Sequence, residues 1–169
     1  GVGRTGRFFA FEHAGVVPDI TTLAKSLGGG KAAIGAMIAR RPIYMAAYGT
    51  PKTSLIHGPA TFGGIGETCC TAIEALNVIY DEGLIDNARV QGAHLLTRLQ
   101  DLQTKHPHII KAVRGYGLMV GLEFSDFSET MPFGMKQVVA RLDDKLKGSI
   151  CGFVGSILLR EFDILVAFT

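Results

Sequence analysis

The chain has 169 residues, 47% of them hydrophobic and 19% charged, and a formal net charge of +2. That balance fits a globular chain with a real core, in one or two domains. It argues against a nucleic-acid footprint, since the longest basic cluster is ARRP at Ala39 to Pro42, and no apolar run approaches the ~20 residues of a membrane span.

Three cysteines, Cys69, Cys70 and Cys151, include an adjacent pair and no CxxC, so no disulfide framework is expected and reduced, cytosol-like conditions are the plain choice. No signal-peptide pattern is visible. The first residue is Gly1 rather than Met, and the chain stops directly after an apolar run, so a piece of a longer polypeptide is expected. The 22 glycines cluster in GVGRTG, LGGGK, FGGIGE and RGYGLMVG, which marks sharp turns or close approaches.

Taken in chain order, Gly1 to Asp19 reads as loop, with aromatic side chains at Phe8, Phe9 and Phe11. PDITTLAKSL offers an Asp/Thr cap and predicts a short helical turn ended by Gly28. AIGAMIA, Ala33 to Ala39, predicts a buried strand. Tyr44 to Pro59 reads as loop. After TFGG, the spacing of Cys69, Ile73, Leu76 and Tyr80 predicts a helix, which Gly83 interrupts. A second helix carries Ala88, Gly92, Leu95, Leu99 and Leu102 on one stripe, and Pro107 closes it. The two helices look like a bridge between domains. Leu118, Val120, Leu122 and Phe124 alternate with Met119, Gly121 and Glu123, the pattern of a half-buried strand. Helices are expected from about Lys136 to Leu146 and near Phe153 to Phe162, before a final strand, Ile164 to Phe168. The mixture makes the class α/β or α+β.

Several motifs fail on their context. GVGRTG fits GxGxxG, but no strand precedes it and no amphipathic helix follows. GGGK lacks a P-loop's leading glycine, where Lys25 stands, and its trailing hydroxyl, where Ala32 stands. The five histidines, HPH included, have no metal-ligand spacing, and no GxSxG elbow is present. Lys25 admits two readings. It is either a lysine in the last turn of a helix with Gly28 as its cap, or an amine among the apolar Leu23, Ala24 and Leu27. Such surroundings disfavour an ammonium and leave a neutral nucleophile able to attack a carbonyl. Three following glycines leave room for a planar ligand. Thr61, in HGPATFGG, is likewise either a cap before the helix near Gly66 or a hydroxyl that helps a helix start hold a phosphate.

Together, GVGRTGRFFAFEHAGVVPDITTLAKSLGGG, HGPATFGG and VRGYGLMVGLEF resemble the class III aminotransferases, pyridoxal-phosphate enzymes of fold type I that include ornithine and putrescine aminotransferases. The likeness covers most of Gly1 to Phe124 and returns at ILVAFT. It implies an α/β fragment of a fold type I enzyme. Residues 1–88 would be part of the large cofactor-binding domain, and 89–169 the interdomain helix and part of the small C-terminal domain. It implies that Lys25 carries pyridoxal 5'-phosphate as a Schiff base. Thr61 would reach across a homodimer interface to the phosphate of the other subunit's cofactor, and Phe62 and Gly63 would shape that crossing loop. Arg4 would be structural.

The family's aspartate for the pyridine nitrogen would precede Gly1, and its substrate-gripping arginine would follow Thr169. Lys31 stands where the family usually has an apolar residue, and GGIGETCC replaces the commoner Gly-Asn-Pro continuation. Ser125 to Gly155 matches poorly. The implied activity is transfer of an amino group from an amine or omega-amino acid to a 2-oxo acid, with Lys25 as anchor and then as base. The alternatives are an aminomutase or decarboxylase of the same fold, or a catalytically incomplete docking fragment. No metal is expected.

Overall fold

In the computed structural model, which describes residues 2–57, 61–125 and 149–167, the ITTLA segment is a strand and not a helical turn. β1, Ile20–Ala24, pairs antiparallel with β2, Gly35–Ala39, in the register Ile20↔Ala39 through Ala24↔Gly35. The β-branched run Ile20-Thr21-Thr22 is stiff at χ1 and favours extended backbone once a partner strand is available. That partner lies beyond the glycine run, so local cap signals could not disclose it. The expected AIGAMIA strand is present but shorter, and it is exposed at Gly35 to Ile38 rather than buried. At the far end of the pair, the Arg40 N–H donates to the Asp19 carbonyl at 3.0 Å, and Arg40 Nε meets Asp19 Oδ1 at 3.1 Å.

The stretch expected as loop from Tyr44 holds two helices instead, α1, Arg41–Tyr48, and α2, Pro51–His57. Pro42 and Pro51 are the reason. Both stand in a first turn, where the missing N–H costs nothing. Thr50 and Thr53 form a reciprocal cap, each hydroxyl oxygen accepting the other's backbone N–H at 3.2 Å.

α3, Gly66–Asp81, and α4, Leu84–Lys105, lie where the periodicity predicts, separated by Gly83 at φ 62°. The buried face of α3 is rotated from the expected one. Ala72 is buried, whereas Ile73 and Tyr80 are exposed. On α4 the expected stripe is buried at Ala88 and Gly92 and exposed at Leu95 and Leu102. β3, Ile110–Tyr116, which carries Gly115 within it and was not expected, forms a hairpin with β4, Met119–Phe124. α5, Ser149–Phe162, starts before the predicted position. The predicted final strand is irregular from Asp163, which takes a left-handed φ of 55°. Ile164 and Leu165 are exposed, and among the described residues no strand pairs with them. The helix expected from about Lys136 to Leu146 lies outside the described residues.

The chain forms two compact units, Gly1–Leu95 with Gly115–Val120, and Leu96–Arg114 with Gly121–Thr169. In the first, the N-terminal loop, the tip of the β3–β4 hairpin and α4 meet at three glycines. A Cβ on Gly92 would overlap the Gly117 backbone, one on Gly117 would strike Thr5 and Arg4, and one on Gly6 would strike Arg89. The Leu118 N–H donates to the Arg4 carbonyl at 2.9 Å, so Arg4 contributes its backbone to this junction. His13 stacks on Tyr116 at 4.3 Å, and its Nε2 lies 3.0 Å from the buried Thr5 carbonyl. Phe8, Phe9 and Phe11 form an aromatic row, with Phe8 stacked on Tyr80 at 5.9 Å. In the second unit, Ile110 is buried and the hairpin carries a charged clasp described below.

Candidate active site

Lys25 is the first residue after β1. It opens a 3₁₀ turn, Lys25–Gly28, rather than closing a helix, and the turn's cap is Gly29 at φ 59°, not Gly28. Lys25 itself has φ 57°. A non-glycine residue with a left-handed backbone is uncommon, and such strain persists only where the surroundings hold it. Here they do. Leu27 and Gly28 are buried, and the turn packs on α3. The Gly29 N–H donates to the Ser26 carbonyl at 3.0 Å, and the N–H groups of Lys31 and Ala32 converge on the Gly28 carbonyl at 3.0 and 3.1 Å.

The Lys25 side chain is exposed, as is Ala24, and Leu23 is half-buried. The apolar enclosure expected around this amine is therefore not formed within this chain: of Leu23, Ala24 and Leu27, only Leu27 is buried, and the lysine side chain itself is exposed. Beside Gly30, the position of a Cβ has no atom within 4 Å. That open space is where a flat ligand could approach the backbone.

Thr61 and Phe62 lie in an exposed turn ahead of α3, with Phe62 79% exposed. Thr61 does not cap the helix. Ile65 occupies the N-cap position and supplies no side-chain bond. The first-turn amides of α3 thus present their positive dipole end without a side-chain acceptor from the cap, an arrangement suited to an anion. Glu67 adds a carboxylate to that first turn. Among the described residues no hydrogen bond or ion pair joins Thr61 or Phe62 to Lys25.

A feature the sequence did not disclose lies on the hairpin. Glu123 accepts Lys111 Nζ at 2.7 Å and Arg114 Nη1 at 2.6 Å. Hydrogen bonds from the Lys111 ammonium and the Arg114 guanidinium, reinforced by their charge, hold the Glu123 carboxyl down from 4.5 to about 2. Pairing of positions 111 and 114 with 123 needs the β3–β4 register, which no single-strand pattern reveals. Among the described residues, no group of three or more His, Cys, Asp or Glu could hold a metal, all three cysteines are free, and no helix is long and apolar enough to cross a membrane.

Comparison with known proteins adds a family. The model of the Aminotransferase class-III family matches residues 1–167. Putrescine aminotransferase from Pectobacterium atrosepticum is 41% identical over 124 residues, covering 73% of this chain and 26% of that protein. The chain therefore spans about a quarter of this relative's length. Among solved structures, the S-selective transaminase from Arthrobacter sp. matches with a TM-score of 0.69 at 28% identity, over 79% of this chain and 28% of that one. Ornithine aminotransferase from Toxoplasma gondii, described with partial occupancy of PLP at its active site, matches with a TM-score of 0.66 at 39% identity, over 76% of this chain and 29% of that one.

Proposed function

The chain belongs to the class III aminotransferases and shares the mixed helix–strand fold of fold type I, and from this premise we infer that it is part of an enzyme that moves an amino group from an amine or omega-amino acid to a 2-oxo acid. The observation that carries this reading is the Lys25 backbone. A lysine held left-handed, at the end of a strand and on a turn docked against a helix, is placed by its surroundings rather than by its own preference.

The residues present fit pyridoxal 5'-phosphate, on which the family depends. Lys25 offers an exposed amine for its aldehyde, and the open space beside Gly30 leaves room for its ring. When bound, the cofactor supplies the electron sink that makes a Cα–H bond breakable. Lys25 Nζ would be the amine that holds the cofactor and the base that takes the substrate's Cα proton. Thr61 and Phe62 serve the phosphate of a second copy's cofactor in a homodimer. Their exposure, and the uncapped start of α3 that follows them, support that role.

Residues 1–88 form part of the large cofactor-binding domain, and 89–169 the interdomain helix and part of the small domain. Free thiols at Cys69, Cys70 and Cys151 support a cytoplasmic setting. The test is reductive trapping. The full-length protein is incubated with pyridoxal phosphate, reduced with borohydride and digested. The reading expects the mass label on the Lys25 peptide, and a label confined to other lysines refutes it. Amine transfer to 2-oxoglutarate separates a transaminase from a same-fold aminomutase or decarboxylase.

A further inference from the structure

The geometry points to Ala75 as a positioning residue for Lys25, acting through Gly29; this rests on the reading of Lys25 as the cofactor-bearing amine. Ala75 is in the middle of α3, far in sequence from the lysine turn. The place a Gly29 Cβ would occupy lies 3.0 Å from the Ala75 Cβ and 3.9 Å from its Cα. The turn has therefore approached the helix as closely as a methyl group and a bare glycine permit. Leu27 and Gly28 on the turn are buried, and so is Ala72, one helical turn before Ala75.

Between the contact and the lysine there is little slack. Gly29 is tied to Ser26 by a 3.0 Å backbone bond, and Ser26 adjoins Lys25. Gly28 is fixed from the other side by the N–H groups of Lys31 and Ala32. A shift of Gly29 is thus passed to Lys25. Lys25 keeps φ 57° only while the turn is clamped, because a lysine left to itself returns to negative φ. That change rotates the Cα–Cβ bond and carries the amine with it. At that approach a γ carbon directed from position 75 toward the turn meets Gly29, and the turn must give way. Ala75 makes no contact with reacting atoms; its part is to be small.

The experiment uses the full-length protein and the variants Ala75→Leu, Ala75→Val and Ala75→Gly. One readout needs no cofactor. The apo-protein is labelled with a trace amine reagent, and modification of Lys25 is compared with that of Lys31, an internal reference in the same connection. The other is steady-state transamination. The expected result is a change of about threefold or more in the Lys25 to Lys31 ratio for Ala75→Val and Ala75→Leu. With it goes a fall in kcat of about 10- to 100-fold, the scale of a ~1 Å misplacement, while KM stays within about threefold. Ala75→Gly, which adds no atoms, keeps both near the parent. If Ala75→Leu does not fold, Ala75→Val decides. A labelling ratio and kcat within about twofold of the parent in a folded Ala75→Val overturn the proposal, and so does a Ala75→Gly variant as impaired as Ala75→Val. Borohydride trapping on the parent separates the two claims. Trapping on Lys25 with an indifferent Ala75 sinks only the positioning role, whereas trapping elsewhere sinks the reading of Lys25 and the positioning role with it.

Discussion

The lysine turn and the hairpin clasp fix local geometry by opposite means. Around Lys25 the backbone is held by steric fit: Gly29 against Ala75, Gly28 beside Ile34, and Leu27 buried. Around Glu123 it is held by charge, with one carboxylate bonded to Lys111 and Arg114. A fit of bare backbone against a methyl group tolerates no added atoms but is indifferent to salt and pH. A clasp of partly exposed ions tolerates changes of size and weakens when its charge is screened or protonated. Strain at a single residue is better kept by the first device, because close-packed groups have nowhere to relax to.

The largest effect should come from the turn. Lys25→Ala in the full-length protein should lower amine transfer by ~10²–10⁴-fold or more, since the proposed role makes this one amine both base and anchor. Near-parental turnover would break the comparison at its root. Next is Gly29→Ala. Its φ of 59° disfavours any side chain, and the new Cβ would stand 3.0 Å from Ala75. A destabilisation of ~1–3 kcal/mol is expected from strain of this kind, read as a lower denaturation midpoint. A midpoint equal to the parent's would mean that the turn yields easily.

The clasp should respond to pH instead. The folded Glu123 carboxyl sits at about 2, below its ordinary 4.5. Its contribution is therefore complete above about 4.5 and is lost as the pH falls from there towards about 2. Glu123→Gln should flatten that part of the Tm–pH curve while leaving trapping at Lys25 unchanged. An unaltered acid limb would show that the clasp contributes nothing to the fold. The smallest effect is at Asp19 and Arg40, whose side chains are well exposed. Asp19→Asn should cost ~0.2–1 kcal/mol in the absence of added salt and less at 1 M, a difference chemical denaturation at two salt concentrations resolves.

What could be read without coordinates follows from range. The helices α3 and α4 and the strand β4 are written in periodic side chains, and Gly83 and Pro107 mark breaks that need only neighbouring residues to enforce. The three sequence blocks that mark the family are also linear features, and with them came Lys25, Thr61 and Phe62 as candidates. The helices α1 and α2 were legible too, since Pro42 and Pro51 stand in first turns, but the stretch from Tyr44 to Pro59 reads as loop when Pro51 is weighed only as a breaker. Other features depended on groups distant in sequence. ITTLA became a strand because GAMIA lay beside it, and the lysine turn came to rest on α3 at Ala75. The apolar run from Ile164 to Ala167 had no such partner among the described residues. Sequence alone named the lysine. Its left-handed backbone, and the close approach of Gly29 to a small residue of α3, were settled by packing, because strain is a property of what surrounds a residue and not of the residue itself.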